Sequence, residues 1–282
     1  CHLLMNGAEA VLTSLKNEGV DVVFGYPGGA VLTLYDAVYK MKFPHILTRH
    51  EQGAVHAADG YARATGKVGV VFATSGPGAT NLVTGISTAY TDSVPLVCIT
   101  GQVANSYIGK DSFQEADVCG ITTPITKHNY LVKKVEDLPR VLKEAFYIAR
   151  TGRPGPVVID VAKDVFDTKL DYAYPDSVHL RGYSGENVGD EREIDAVVEA
   201  IRAAKKPLVF AGGGVILSET AGVLQDIVRR LGAPSTATLL GLGAIPADEK
   251  GFLSFAGMHG SYGANMAIQE CDLLLCIGMR FS

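Results

Sequence analysis

The chain lacks an excess of positive charge, a long apolar run and a paired-cysteine motif, and each absence removes a class of function. Its 25 Lys and Arg against 30 Asp and Glu give a net charge of −5. A nucleic-acid binder usually carries a basic field instead, so no nucleic-acid partner is expected. No apolar stretch approaches the roughly 18 residues that span a membrane, and no basic segment leads into an apolar run near the N-terminus. Neither a membrane span nor a signal peptide is expected. The 5 cysteines are odd in number and include no CxxC pair, which fits a reduced, cytoplasmic setting. Cys98 and Cys276 lie inside the apolar runs 95–99 and 273–277 and read as small core residues on strands. Internal repeats and low-complexity tracts are absent.

What is present is a globular composition. Hydrophobic residues make up 47% and charged residues 20% of 282 residues, enough for two cores at roughly 100–200 residues per domain. The 32 glycines fall in clusters, not at a fixed period, and so mark tight turns at particular places.

Apolar periodicity alternates along the first half. Helical spacing is expected over 7–17, 30–40, 51–65, 80–90 and 138–150, and strands over 20–25, 45–49, 68–74, 96–101 and 157–161. This alternation predicts an α/β fold with a parallel sheet. In such sheets ligands bind beyond the carboxyl ends of the strands. Four segments fall there: Tyr26-Pro27-Gly28-Gly29, Arg49-His50-Glu51, Ser75-Gly76-Pro77-Gly78 and Gly101-Gln102. The polar, Gly- and Pro-bearing stretch 167–189 reads as a linker between a first domain, 1–166, and a second α/β unit, 190–282. The second unit opens with a capping-box-like Asp190 and Glu193, and Ile194, Val197, Val198 and Ile201 form the expected buried stripe. Strands are expected at 208–211, 235–239 and 272–277, and helices at 218–231 and 263–269.

Glu51 stands out among the polar residues. On a helix starting there it shares a face with Val55, Ala58 and Ala62, all small and apolar. A carboxylate on such a face is costly to ionise unless compensated, which makes it a candidate proton-handling group. The alternative is a glutamate that complements the helix dipole. Ser75-Gly76-Pro77-Gly78 joins a strand to a helix, as a ligand-cradling loop or a plain tight turn does. It is not a P-loop, because the Lys-Ser/Thr pair is missing. Gly212-Gly213-Gly214 follows a strand, but Leu217 stands in place of the third glycine of G-x-G-x-x-G, and no acidic residue ends the next strand. An NAD site is therefore disfavoured, and backbone contact to another adenine nucleotide stays open. His50, His56 and His128 lack metal-ligand spacing and read as structural; Lys163 reads as a rim residue.

Taken together, these segments resemble the large catalytic subunits of acetohydroxyacid synthases, also called acetolactate synthases. The resemblance is carried by Gly25-Tyr26-Pro27-Gly28-Gly29-Ala30, by Arg49-His50-Glu51-Gln52-Gly53-Ala54, and by Thr74-Ser75-Gly76-Pro77-Gly78-Ala79-Thr80-Asn81. Phe113-Gln114-Glu115-Ala116-Asp117, Gly152-Arg153-Pro154-Gly155-Pro156-Val157 and Gly257-Met258-His259-Gly260 extend it along nearly the whole chain. The Glu51 and Ser75 motifs recur in many thiamine-diphosphate enzymes. The Phe113 and Met258 segments narrow the likeness to the FAD-containing biosynthetic synthases.

The resemblance implies thiamine diphosphate, Mg²⁺ and FAD as cofactors, and decarboxylation of pyruvate followed by condensation with pyruvate or 2-ketobutyrate. Glu51 is then the catalytic residue, hydrogen-bonded to N1′ of the aminopyrimidine. Tyr26, Pro27, Gly28, Pro77, Asn81 and Gln114 would line the pyrimidine end of thiamine diphosphate. Gly29, Ala30, Phe113 and Lys163 would lie near substrate, with Phe113 and Lys163 reaching the partner subunit's site. Arg153, Gly212, Gly213, Gly214, Thr238, Leu239, Met258, His259, Gly278 and Arg280 would meet FAD, which serves the reaction structurally. A homodimer or higher oligomer and a regulatory small subunit are the implied protein partners.

Two departures accompany the likeness. Ala162 stands where the family commonly has proline. The Gly-Asp-Gly … Asn-Asn segment that holds Mg²⁺ and the diphosphate is missing. The expectation is therefore a pyrimidine-binding domain plus a partial FAD-binding domain, the N-terminal part of a longer protein and inactive alone. Pyruvate oxidase shares FAD and is the near rival. Glyoxylate carboligase lacks the glutamate. A non-catalytic nucleotide-binding module is the rival from another class.

Overall fold

The computed structural model describes residues 3–185 and 188–281. The chain divides into two compact units, Cys1–Asn187 and Val188–Ser282. The first unit opens with β1 (Leu3–Asn6), α1 (Gly7–Asn17), β2 (Val23–Gly25), α2 (Leu32–Lys40), β3 (His45–Leu47), α3 (Glu51–Thr65) and β4 (Gly69–Ala73). It continues through α4 (Pro77–Thr80), α5 (Val83–Asp92), β5 (Leu96–Gln102), α6 (Val118–Thr122), β6 (His128–Val132) and α7 (Leu138–Arg150). It closes with β7 (Pro156–Ala162), α8 (Lys163–Asp167) and β8 (Lys169–Tyr172).

Six of these strands form one sheet in the order β3-β2-β4-β5-β7-β6, every neighbouring pair parallel. All seven residues of β5 and all seven of β7 are buried, as expected where helices cover both faces. One face carries Val70, Phe72, Val97, Ile99, Val157 and Ile159 against α1, α2 and α7. The other carries Val71, Ala73, Cys98 and Val158 against α3 and α5. The strand order reverses between β2 and β4, so the loops leaving these two strands diverge and open a crevice at their carboxyl ends.

Three local differences from the expected elements bear on the site. The helix expected over 80–90 is two helices, α4 and α5, separated by Asn81 and Leu82. Proline at the first position of α4 starts a separate turn. The strand β6 and helix α6, between β5 and α7, were not anticipated. Inside the stretch expected as a linker, Lys169–Tyr172 forms β8, paired antiparallel with β1. Its side chains alternate, and only Leu170 is buried. Such a short, half-polar strand is hidden among turn residues.

The second unit contains α9 (Glu191–Ala203), β9 (Pro207–Ala211), α10 (Gly213–Leu217), α11 (Ala221–Leu231), β10 (Ser235–Ala237), β11 (Phe252–Phe255), α12 (Tyr262–Glu270) and β12 (Leu273–Ile277). Its four strands are all parallel, in the order β11-β10-β9-β12. Its core is Val209, Ala211, Val215, Leu224, Val228 and Ala237, with their neighbours. Two expectations fail here. The stripe on α9 is not buried: Ile194, Val197 and Val198 are exposed, and no residue of α9 is buried. Asp190 caps α9 by accepting from Arg192 N, two residues on, and Glu193 completes no capping box.

Candidate functional site

The candidate site forms where the loops after β2, β3, β4 and β5 meet. Glu51 is the first residue of α3. His50 caps that helix, its Nδ1 accepting from Gln52 N at 3.0 Å. The Glu51 side chain does not run out to solvent, since the residue is only 8% exposed. Asn81 Nδ2 donates to its Oε2 at 3.0 Å. Oε1 has no hydrogen-bond partner among the described residues. Val55, Ala58 and Ala62 on the same helix are buried, so the carboxyl group stands at the head of an apolar wall. Tyr35 lies near enough to feel it: burial first, and then the charge of Glu51, push its phenol above the usual range.

Thr74, at the end of β4, ties two of the loops together. Its Oγ1 accepts from Ala30 N at 3.1 Å. A Cβ at Gly28 would collide with its side chain, and one at Gly78 would lie 2.7 Å from Thr74 Cγ2 and 3.3 Å from Glu51 Oε1. Gly78 thus keeps the space beside Glu51 open, and Gly28 lets its loop pack against Thr74. Gly76 has φ +59°, and a Cβ there would stand 2.6 Å from Gln114 O. This close approach fastens the loop after β4 to the loop after β5, where Gln114 itself sits at φ +57°.

The residues expected near substrate come together. Gly29, Ala30, Phe113 and Lys163 line one cavity of about 560 Å³, together with Gln114 and Ser75. Phe113 is 88% exposed at its mouth. Tyr26 and Pro77 are exposed on the loops after β2 and β4, and Pro27 and Gly28 are partly so, but none of these, nor Glu51 or Asn81, lines this cavity. Arg153 instead spans the end of α5, donating to Ser93 Oγ and to the carbonyls of Tyr90 and Thr91.

Three participants have no role that the motifs assign: Thr74, Asp160 and Gln102, the last named only within the rim segment Gly101-Gln102. Thr74 carried no motif weight beyond its place before Ser75. Asp160 and Gln102 had a signal, a charged residue inside a continuous apolar strand and a glutamine closing another. In the structure they are buried neighbours: Gln102 Nε2 donates to Asp160 Oδ2 at 2.9 Å, and Thr100 Oγ1 to Oδ1 at 2.7 Å.

In the second unit, Gly212, Gly213 and Gly214 follow β9, Thr238 and Leu239 follow β10, Met258 and His259 follow β11, and Gly278 and Arg280 follow β12. All therefore stand at one carboxyl edge. The glycines serve close packing of backbone. Gly212 N donates to Ile277 O and Gly214 N to Gly278 O, both at 2.8 Å. A Cβ at Gly212 or Gly214 would strike Gly278 O. Leu239 and Met258 are exposed, at 67% and 94%. Such an edge offers apolar surface to a flat ring more readily than free N–H groups to a phosphate.

Among the described residues no three His, Cys, Asp or Glu side chains gather as a metal-holding group, and no helix is long and apolar enough to cross a membrane.

The amino-acid sequence that folds into this sheet matches a known family. Residues 5–121 match the thiamine pyrophosphate enzyme N-terminal TPP binding domain, and residues 194–282 match the central domain of the same enzymes. The chain belongs to the thiamine pyrophosphate enzyme family. Within it, the chain is similar to acetolactate synthase large subunits. It is 55% identical to that of Haemophilus influenzae over 280 residues, 98% of this chain and 49% of the relative. It is 51% identical to the acetolactate synthase isozyme 3 large subunit of Escherichia coli, over 99% of this chain and 49% of the relative. Identity to the acetolactate synthase large subunit of Lactococcus lactis is 50%, over 98% of this chain and 48% of the relative. The chain spans about half the length of the curated relatives it matches.

Proposed function

We propose that this chain supplies the pyrimidine-binding half-site of an acetolactate synthase large subunit. That enzyme decarboxylates pyruvate and joins the product to a second 2-ketoacid, pyruvate or 2-ketobutyrate, in branched-chain amino-acid biosynthesis. The observation that carries this reading is the state of Glu51: buried, held through one oxygen by Asn81, and with the other oxygen unpartnered among the described residues, beside Gly78, which leaves room for a ring. The names and identities of the relatives support the same reading.

The residues fit thiamine diphosphate. Glu51 Oε1 would meet a ring nitrogen, and a Cβ at Gly78 would fill the space next to it. Tyr26, Pro27, Gly28, Pro77, Asn81 and Gln114 would surround the pyrimidine. When bound, the cofactor supplies the carbon at which a 2-ketoacid loses CO₂. Glu51 holds and returns a proton at Oε1. Asn81 fixes the carboxyl group so that this oxygen points into the space. The apolar wall of Val55 and Ala58 keeps water from competing for the proton. Gly29, Ala30, Phe113 and Lys163 would face the ketoacid, Lys163 offering a positive charge to its carboxylate.

We assign residues 1–166 to the pyrimidine-binding domain and 190–282 to a FAD-binding domain, with Thr238, Leu239, Met258, His259, Gly278 and Arg280 toward the flavin. Gly212 to Gly214 would act through packing and Arg153 through the end of α5. Mg²⁺ would be held by residues outside this chain. A homodimer or higher oligomer, a regulatory small subunit and a cytoplasmic setting complete the proposal.

The test is acetolactate formation from pyruvate by the complete protein with thiamine diphosphate, Mg²⁺ and FAD. Glu51→Gln should lower turnover by roughly 10²–10⁴-fold, the range of general acid–base contributions. Full turnover in that variant, or no acetolactate from the unaltered protein, would overturn the reading.

A further inference from the structure

The loop that carries Phe113 and Gln114 is clasped at both ends by one side chain. Gln102 is the last residue of β5 and is 4% exposed. Its Oε1 accepts from Val103 N at 2.8 Å, where the loop begins. Its Nε2 donates to Ala116 O at 2.8 Å, where the loop returns. The second Nε2 hydrogen goes to Asp160 Oδ2 at 2.9 Å. Asp160, 1% exposed on β7, also accepts from Thr100 at its other oxygen. A carboxylate only accepts, so Asp160 fixes which end of the Gln102 amide is nitrogen. With the amide reversed, its oxygen would face both Ala116 O and Asp160.

The loop between these ends is built to stay in shape once clasped. The Glu115 carboxylate accepts from Ser112 N at 2.9 Å and from Gly109 N. Gly76 presses against the Gln114 backbone from the side. Tyr107, Ser112, Phe113 and Gln114 from this loop line the cavity described above.

We propose that Gln102 is a positioning residue: oriented by Asp160, it closes the loop 103–116 and thereby sets where Phe113 and Gln114 stand at the cavity. The loop clasp stands on its own hydrogen bonds, and its consequence for cofactor binding rests on the function proposed above.

Three variants of the complete protein separate the clasp from plain stability. Gln102→Glu keeps the shape and the acceptor for Val103 N but has no donor for Ala116 O. Asp160→Asn with Gln102→Glu restores a donor–acceptor pair between β7 and β5, still without a donor for Ala116 O. Thr100→Val removes a buried hydrogen bond to Asp160 and leaves the clasp intact. Hydrogen–deuterium exchange over 103–117 in the cofactor-free protein should quicken about tenfold in both variants carrying Gln102→Glu and stay unchanged in Thr100→Val, by the usual equivalence of about 1.4 kcal/mol to a factor of ten. Thiamine diphosphate affinity should fall at least fivefold in the same two variants. Unchanged loop exchange in Gln102→Glu, recovery of the loop in the double variant, or equal loosening in Thr100→Val overturns the clasp. Faster exchange with unaltered cofactor affinity upholds the clasp and counts against the cavity as the cofactor's neighbour.

Discussion

Asp160 is the residue at which burial and charge conflict most openly. Burial pushes its carboxyl up to about 6, against the lowering effect of the hydrogen bonds from Thr100 and Gln102. The titratable groups that face it come from α6 and its cap: Asp117, whose charge also raises it, and Cys119, itself pushed up to about 11 by its own burial first. The folded-state value lies above the ordinary 3.8. Its favourable contribution is therefore complete below about 3.8 and is lost as pH rises through about 6. The difference corresponds to about 3 kcal/mol. In urea unfolding at pH 4.5 and pH 7.5, Asp160→Asn should be less stable than the native chain at the lower pH and close much of that gap at the higher. A gap that stays constant across this window would mean that Asp160 does not titrate there.

Elements differ in how plainly the sequence announces them. α3 was legible to the residue, because Glu51, Ala54, Val55, Ala58 and Ala62 keep one face and Gly66 ends it in the left-handed conformation, φ +72°. The buried strands β4, β5 and β7 were legible as continuous apolar runs. The clustering of rim loops, and with it the cavity residues Gly29, Ala30, Phe113 and Lys163, followed from the parallel alternation plus the family likeness. The ties among the loops were not legible. Gly76 against Gln114, and Gln102 against Ala116, are long-range contacts that no periodicity encodes. β8 was hidden because a four-residue strand with one buried side chain leaves too short a pattern to stand out. α9 failed in the opposite way. Its stripe is strongly amphipathic, yet periodicity reports only that a face is apolar, and in this chain Val197 is 49% exposed. Val197→Gln should therefore change the stability of this 282-residue chain by no more than ~0.5 kcal/mol. The same change at Val228 on α11, which is 2% exposed, should cost ~2–5 kcal/mol. Comparable losses at the two positions, read from denaturant midpoints, would show that the α9 face is covered in solution.

At the scale of the whole chain, the two units are unequal in how completely they enclose their sheets. In the first, β5 and β7 are buried along their full length and helices lie on both faces. In the second, none of the five residues of β12 is buried, and β9 is buried at three of its five positions. Backbone hydrogen bonds shielded on both sides open only with large-scale unfolding, whereas those with one open side are released by smaller fluctuations. The amides of β4, β5 and β7 should accordingly be the slowest to exchange in this chain, with those of β9 next and those of β12, an edge strand with one neighbour, faster still. The comparison is cleanest between β5 and β9, since each is hydrogen-bonded to a parallel strand on either side and the cover differs, whereas β12 is an edge strand with one neighbour. Mass-spectrometric exchange on peptides spanning 96–102 and 207–211 decides it. Equal protection of the two would mean that the open side of the second sheet is covered in solution, by α9 folding back or by another copy of the chain. A dilution series would then separate those two causes, because only the second depends on concentration.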